Sequence, residues 1–314
     1  MQINLPSTTF ISVAIATYNG EKYLIKQLDS ILTQSLPCHE IIIVDDASSD
    51  ATWSILQRYQ QQDSRIQLYK NEYNLGATKT FERAVNLCTG DFIALSDQDD
   101  IWMQDKLAIL IKNIGHAKLI HSDALLIDGL GNPIKGSLLQ FIEYTPIDSF
   151  FVRLIREGVH GCCLMMTREV ANAAREIPDG FVYHDFFYNL TAASLGDIKT
   201  IYQPLMYYRL HDSNACGLYA EKSYQRAMSD YAKNLKNMEL ILDLAQFKMH
   251  RDEIYFYISY YKRFLNQEKS SLSFLCEANS KLGMKKMLGL LVNNYFGKSG
   301  VKFMYQLLNL IVKH

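Results

Sequence analysis

Four aspartates carry most of the chemical information in this chain of 314 residues: Asp97 and Asp99 in Ser96-Asp97-Gln98-Asp99-Asp100, Asp46 in Asp45-Asp46, and Asp185 in Tyr183-His184-Asp185. A D-x-D pair suits Mg2+ or Mn2+, hard cations commonly held by one or two carboxylates together with substrate phosphates. Aspartates two apart at a strand end both reach one ion through the backbone turn, directly or through water. Such an ion bridges a diphosphate and stabilises it as a leaving group. Standing alone, a D-x-D is more often solvated or caps the next helix, so its surroundings must decide. Asp46 has a different chemistry open to it: its carboxylate accepts from the imide N–H of uracil or thymine, which rejects cytosine. Tyr18 offers a ring face to the base, a contact worth about 1–3 kcal/mol. Asp45 competes with Asp46 for this role or stabilises the loop instead.

These residues need elements to position them, and the first hundred residues supply alternating strands and helices. Phe10 to Ala16 is β-rich and apolar, and Thr17-Tyr18-Asn19-Gly20 breaks it. Apolar Tyr23, Leu24, Leu28, Ile31 and Leu32 recur at helical spacing between Glu21 and Gln34. Glu40 to Val44 reads as a strand buried on both faces, and Ser48-Ser49-Asp50 as a cap for a helix reaching about Gln61. Arg65 to Tyr69 is a third strand, Thr78 to Leu87 a helix, and Asp91 to Leu95 a fourth strand. The pattern predicts an α/β fold with a mostly parallel sheet and helices on both faces. Tyr18-Asn19, Asp45-Asp46 and Asp97 to Asp100 all follow strands, at the rim where open α/β sheets bind ligands. Further on, Leu119 to His121, Ala124 to Ile127 and Val159 to Met166 read as strands, a turn lies at Asp128 to Pro133, and a helix follows His184-Asp185. Thr200 to Leu210 reads as extended segments broken by Pro204, and the chain after Tyr219 is almost wholly helical.

Four blocks in order, Ser12 to Gly20, Ile43 to Asp50, Asn74-Leu75-Gly76 and Gly90 to Asp100, resemble the family 2 glycosyltransferases over about the first 105 residues. The resemblance implies a GT-A (nucleotide-diphospho-sugar transferase, Rossmann-like) fold, a dTDP- or UDP-sugar donor, a divalent metal (Mn2+ or Mg2+) and inversion at the anomeric carbon. It places Ala16, Tyr18, Asp46 and Gly76 on the nucleotide side and Asp97 and Asp99 at the metal, with Asp99 the direct ligand. Inverting transfer needs a carboxylate opposite the leaving group to take the acceptor's hydroxyl proton. Tyr183-His184-Asp185-Phe186-Phe187 is similar to the family's E-D motif with His in place of Glu, which makes Asp185 the base and leaves His184 to orient it or to contact acceptor. An N-cap role for Asp185 competes with catalysis without excluding it. Tyr208-Arg209-Leu210-His211-x-x-Asn214 is similar to the relatives' Y-R-x-H-x-x-N, so His211 would complete the metal shell and Arg209 would meet the diphosphate as a bidentate donor. Lys79 and Arg83 are further phosphate candidates, with a solvated helix face as the rival reading. Ser96 to Trp102, followed by Asp105-Lys106-Leu107, is similar to bacterial rhamnosyltransferases and related capsule or O-antigen enzymes. A dTDP-rhamnose donor and a glycan or lipid-linked acceptor follow from that likeness.

Composition sets the bounds. The net charge of −1 argues against a nucleic-acid partner. Six cysteines without a C-x-x-C pair read as reduced, mostly buried thiols. No signal peptide and no continuous apolar span is visible, which predicts a cytoplasmic protein. Residues 278–314 contain Lys281, Lys285, Lys286, Lys298, Lys302 and Lys313 and no acidic residue, with apolar stripes. They read equally as a basic amphipathic surface for the inner face of a membrane, or as packing or homodimer contacts. Gly297-Lys298-Ser299 lacks the earlier glycine of a P-loop. The expected organisation is a nucleotide-sugar half over 1–115, an acceptor half over 116–218 and a helical extension over 219–314. The reading from another class is a catalytically silent sugar-nucleotide or glycan-binding subunit that supports a partner transferase. A nucleotidyltransferase is disfavoured, because Thr17-Tyr18-Asn19-Gly20 is no Gly-rich phosphate loop with a basic residue.

Overall fold

The structure is a computed structural model, and it describes residues 9–142, 144, 150–155, 160–211 and 224–265. The basic tail, residues 278–314, and Asn214 lie outside the described residues. The amino-terminal strands are β1 (Ile11–Thr17), β2 (Glu40–Asp45), β3 (Ile66–Lys70) and β4 (Phe92–Ser96), joined by α1 (Leu24–Leu32), α2 (Thr52–Gln62) and α3 (Ala77–Leu87). They pair in the order β3-β2-β1-β4, all parallel. Every residue of β2 is buried, as a strand covered on both faces requires. Right-handed crossovers by helices bring the carboxyl ends of β1, β2 and β4 to one rim, where Tyr18, Asp46 and Asp97 follow their strands.

The second half extends the same sheet to nine described strands. It adds β5 (Ile101–Trp102), β6 (Leu119–Ile127), β7 (Pro133–Ser137), β8 (Leu164–Thr167) and β9 (Ile198–Arg209) in the path β4-β8-β6-β9-β5, with β7 on β6. Here β8 runs antiparallel to both β4 and β6, while β6 and β9 are parallel. The helices are α4 (Lys106–Ile114), α5 (Leu138–Phe141), α6 (Phe150–Ile155), α7 (Arg168–Ala173) and α8 (His184–Leu195).

Three local expectations change. Leu119 to Ile127 is one strand rather than two. The strand expected from Val159 begins only at Leu164, because Gly161–Cys163 forms a 3-10 turn that aims Cys162 and the Gly161 N–H inward. Pro204 does not break β9: it faces Asp123 where the β6–β9 register shifts, so a bulge absorbs the residue without a donor N–H.

Contacts divide the chain into two compact units, residues 1–147 with 157–222, and residues 148–156 with 223–314. In the second, α9 (Tyr224–Ile241) packs with α10 (Arg251–Leu265), Phe150 of α6 stacks on His250 with ring centroids 3.8 Å apart, and Tyr257 stacks on Tyr261. No helix among the described residues is long and apolar enough to cross a membrane.

A buried knot ties the opposite ends of the central strands. Glu40 accepts from the Ser12 hydroxyl at 2.6 Å, from the Thr89 N–H at 2.5 Å and from the Thr89 hydroxyl at 2.9 Å. These hydrogen bonds outweigh burial and hold the Glu40 carboxyl below its usual range. The Gly90 N–H donates to the Ser12 hydroxyl, and a Cβ at Gly90 would lie 2.6–2.8 Å from Ser12 Oγ, Ser12 N and the Phe10 carbonyl. Two of those three atoms are backbone, so the strand itself must shift. Gly90→Ala is therefore expected to destabilise the first unit by about 1–3 kcal/mol, the usual cost of overpacking. Chemical denaturation of the two proteins measures it, and an unchanged midpoint would contradict the contact.

Candidate active site

The end of the rim at Tyr18 and Asp46 is built from loops that hold one another. Asn19 adopts φ +47°, which turns its N–H onto the Ser48 hydroxyl at 2.9 Å while its own side-chain oxygen takes the Ser49 N–H at 2.9 Å. Gly20 N–H reaches the Thr52 hydroxyl at 2.7 Å. Asp45, fully buried, accepts from the Thr17 hydroxyl at 3.1 Å and from the Ser48 N–H and hydroxyl at 3.1 and 2.5 Å. That set makes Asp45 a loop-holding residue. Asp46 reaches across to the next loop, accepting from Asn71 Nδ2 at 2.7 Å, Leu75 N–H at 2.8 Å and Gly76 N–H at 2.9 Å. Gly76 at φ +82° is what presents its N–H there. A carboxylate has about four acceptor sites, so Asp46 retains room for one further donor. Tyr18 is half-exposed beside it, and Ala16 is partly buried at the end of β1.

Gln98, the middle residue of the acidic motif, ties that motif to this end. Its side-chain oxygen accepts the Tyr18 N–H at 2.9 Å and its side-chain nitrogen donates to the Tyr18 carbonyl at 2.9 Å, as a neighbouring strand would. A Cβ on Gly20 would meet that oxygen at 2.2 Å, so the glycine makes the clamp possible. Asp99 and His211 come together, with Nε2 2.9 Å from Oδ2. They arrive from β4 and from the residue two beyond β9, so the two expected metal ligands share one place. Arg209 is placed differently from the expectation. It is 1% exposed, and its guanidinium donates to the carbonyls of Asp99 at 2.7 Å and Asp128 at 3.3 Å and lies over the Tyr23 ring. Its N–H holds Asp100 Oδ1 at 3.0 Å. Arg209 thus braces the motif from behind in this structure. Lys79 and Arg83 are likewise engaged, Lys79 with Glu82, Asp179 and the Ile177 carbonyl, Arg83 with the Lys70 carbonyl and Asn71.

Asp185 stands in the first turn of α8, with Tyr183 before it at φ +73°. Its Oδ2 accepts the Gly161 N–H at 3.1 Å and its Oδ1 the Phe186 N–H at 2.9 Å. His184 makes no hydrogen bond to Asp185. It stacks on Phe81 of α3 with centroids 4.0 Å apart, and burial holds its imidazole pKa down. Asp185 and the acidic motif lie close enough to feel one another. Asp97 is raised from 3.8 to about 7, first by burial and then by the charges of Asp99 and Asp185. Asp100 is raised well above its usual range by burial and by the charges of Asp99 and Asp97. Residues that sequence reasoning missed are Gln98 as a clamp, Asn71 as a partner of Asp46, and buried Lys106 and Cys162 beside Asp97. For Lys106 the signal was its place in Asp105-Lys106-Leu107, which was read only as a likeness; Cys162 was read among the buried thiols and carried none.

The raised carboxyl of Asp97 predicts a pH-dependent metal effect. Unfolded, it titrates near 3.8; folded without metal, near 7. The stability it contributes is present below the unfolded value and is lost as pH rises through about 7. A divalent cation binds the ionised form and reverses that loss. The rise in melting temperature on adding Mn2+ is therefore expected to be larger at about pH 8 than at about pH 6, and Asp97→Asn should remove the difference. Thermal melts with Mn2+ or chelator decide it; equal rises at both pH values would place the titration elsewhere.

The comparisons with known proteins bear on this arrangement. The family model described as glycosyl transferase family 2 matches residues 12–173, more than half of the chain. TuaG of Bacillus subtilis, a glycosyltransferase named for teichuronic acid biosynthesis, is 41% identical over 97 residues, 31% of this chain and 38% of TuaG. WfaP of Escherichia coli, a UDP-Glc:alpha-D-GlcNAc-diphosphoundecaprenol beta-1,3-glucosyltransferase, is 31% identical over 157 residues, 48% of this chain and 62% of WfaP. The match thus spans less than two thirds of the length of either relative. Among solved structures, Staphylococcus aureus TarS 1-349 in complex with UDP-GlcNAc superposes with a TM-score of 0.58 at 18% identity, over 90% of this chain and 81% of that one. The mannosyltransferase PcManGT of Pyrobaculum calidifontis, in complex with GDP-Man and Mn2+, gives 0.53 at 16% identity, over 96% and 85%. Those likenesses establish the GT-A fold, and with the family model they show that this chain belongs to glycosyl transferase family 2.

Proposed function

We propose that the protein is an inverting glycosyltransferase that moves a sugar from a nucleotide-diphosphate sugar to a glycan or lipid-linked acceptor in bacterial surface polysaccharide synthesis. The observation that carries the reading is that consecutive residues tie Asp185 to the acidic motif: the Gly161 N–H donates to Asp185 at 3.1 Å, and the Cys162 sulfur lies within 4.8 Å of the Asp97 carboxylate. The two carboxylate groups come from different halves of the chain, as attack and departure on opposite sides of an anomeric carbon demand. Asp99 and His211 offer a divalent ion one hard oxygen ligand and an imidazole already 2.9 Å apart; Asp97, whose carboxylate gathers with Asp100 and Cys162, would complete the set only by turning toward them. Bound there, Mn2+ or Mg2+ supplies the positive charge that stabilises a departing diphosphate. Asp46, with one acceptor site left, takes an imide N–H of a uracil or thymine base, and Tyr18 covers the ring.

Asp185 takes the acceptor's hydroxyl proton as the oxygen attacks the anomeric carbon and the bond to the diphosphate breaks. Its two backbone hydrogen bonds fix the carboxylate while leaving acceptor sites for that proton. The likeness of Ser96 to Trp102 to rhamnosyltransferases puts dTDP-rhamnose first among donors, and WfaP, by its name, acts on a lipid diphosphate acceptor. Nothing in the site favours a silent binding subunit, since Asp46, Asp97, Asp99 and Asp185 are all in place.

A panel of UDP-, dTDP- and GDP-sugars with Mn2+, read by slow donor hydrolysis, tests the reading; neither turnover nor binding of any donor would end it. Asp185→Asn is expected to lower transfer by about 10²–10⁴-fold, the usual contribution of a general base. Donor affinity, measured by calorimetry, should stay within about twofold, as expected of a base that acts on the acceptor hydroxyl. Loss of donor binding instead would mean that the base lies elsewhere.

A further inference from the structure

Behind the acidic motif lies a second set of ligand atoms, different in kind from the set of Asp97, Asp99 and His211. Carboxylate oxygens of Asp97 and Asp100 and the Sγ of Cys162 all lie within 4.8 Å of one another. Cys162 is a free thiol, 1% exposed. Asp100 is also 1% exposed; its Oδ1 takes the Arg209 N–H, but its Oδ2 is buried with no hydrogen-bond partner. A buried carboxylate oxygen left unpaired is costly, and in a native protein such an atom points to a proton, a water or an ion. Lys106 is the cation already beside this pocket, with Nζ 2.5 Å from the Cys162 carbonyl and 4.1 Å from the centre of the Trp102 ring. Two carboxylates against one ammonium still leave room for added positive charge.

We propose that Asp97, Asp100 and Cys162 form a site for a thiophilic divalent cation of the Zn2+ kind, which shares Asp97 with the Mn2+ or Mg2+ site and therefore excludes the hard ion. Sulfur is the discriminating ligand: thiolate selects Zn2+ and its soft neighbours, whereas Mg2+ and Mn2+ prefer oxygen. On binding, the Cys162 thiol and the protonated share of the Asp97 and Asp100 carboxyls give their protons to solvent, and the sulfur and carboxylate oxygens donate electron pairs to the ion; nothing is oxidised. Tetrahedral bonds of about 2.0–2.3 Å put ligand atoms roughly 3.5 Å apart, so the triad closes by about an ångström. Three protein ligands leave a fourth position for water, the mark of an exchangeable ion rather than a sealed structural one. Access is through Asp97, which is only partly buried. The functional consequence is inhibition by a soft metal at a position the donor-binding metal needs.

Cobalt(II) added to the full reduced chain tests this directly, since Co2+ takes Zn2+ sites and reports sulfur ligation by a thiolate charge-transfer absorbance. The band is expected in the native protein, lost in both Cys162→Ser and Cys162→Ala, bleached by Zn2+, and suppressed by excess Mn2+. Circular dichroism and retained Mn2+ binding show that at least one of the variants is folded. No such band in the native protein, or a band undiminished in a folded variant, overturns the site. A band that excess Mn2+ leaves unchanged overturns the sharing of Asp97. The inference rests on the proposed function only for that sharing. A native protein that shows the cobalt band yet binds no Mn2+ would instead count against the hard-metal assignment.

Discussion

Like charge crowded into a half-dry pocket is the constraint on which the site depends. Asp97, Asp99, Asp100 and Asp185 converge, and burial together with mutual repulsion pushes Asp97 to about 7 and Asp100 well above its usual range. In a medium of low effective dielectric constant such repulsion is strong, and a protein tolerates it only where positive charge is provided or expected. The fold provides two buried cations nearby. Lys106 is fully buried over Trp102, and Arg209 donates to the carbonyls of Asp99 in the motif and of Asp128. Neither neutralises Asp97 and Asp99 outright. The site thus keeps an excess of negative charge, which is what the proposed divalent ion would offset.

Holding such a pocket open requires a stiff rim, and the polar loops supply it. The β1 and β2 loops lock through Asn19, Ser48, Ser49 and Thr52, the β2 and β3 loops through Asp46 and Asn71, and the β1 loop and the acidic motif through Gln98 and Tyr18. Most of these bonds join a side chain to backbone across long stretches of sequence. Positive φ at Asn19, uncommon outside glycine, and at Gly76, where glycine adopts it freely, aims an N–H in each case. The rim is preorganised by short polar side chains rather than by apolar packing, which lies beneath it in β1, β2 and β4.

That difference explains what could be read from the sequence. Apolar runs such as Glu40 to Val44 announce their strands, because a strand buried on both faces has no polar alternation to hide it. Strand–helix alternation placed the acidic motif after β4, at the carboxyl-end rim where the structure has it. The two-residue β5 carries no periodicity, and β7 begins at Pro133 in a turn-rich stretch, so neither was legible. The 3-10 turn at Gly161–Cys163 looked like the start of its strand because Gly-Cys-Cys is apolar. Arg209 was read as a phosphate donor from its neighbours in sequence; its burial against Tyr23 and Asp99 is a tertiary fact without a local signature. Cys162 looked like core for the same reason.

The partners of each carboxylate separate their proposed roles more sharply than burial does. Asp45 takes two hydrogen bonds from Ser48 of its own loop and one from Thr17 at the end of β1, and Lys70 approaches it at 3.9 Å, so its fourth side is met by a cation of the fold. Asp46 takes three from the neighbouring loop and retains one acceptor site at the rim, enough for a single imide N–H and too little for an ion that wants several oxygens. Asp185 takes two, one on each oxygen and both from backbone N–H groups, so it is fixed in place yet keeps a lone pair on either side. A base needs that combination: an orientation that side-chain rotation cannot disturb, and unshared electrons where the proton arrives. The fold grades its carboxylates from saturated to available along the path from the buried loop to the centre of the pocket, and the chemistry assigned to each follows that order.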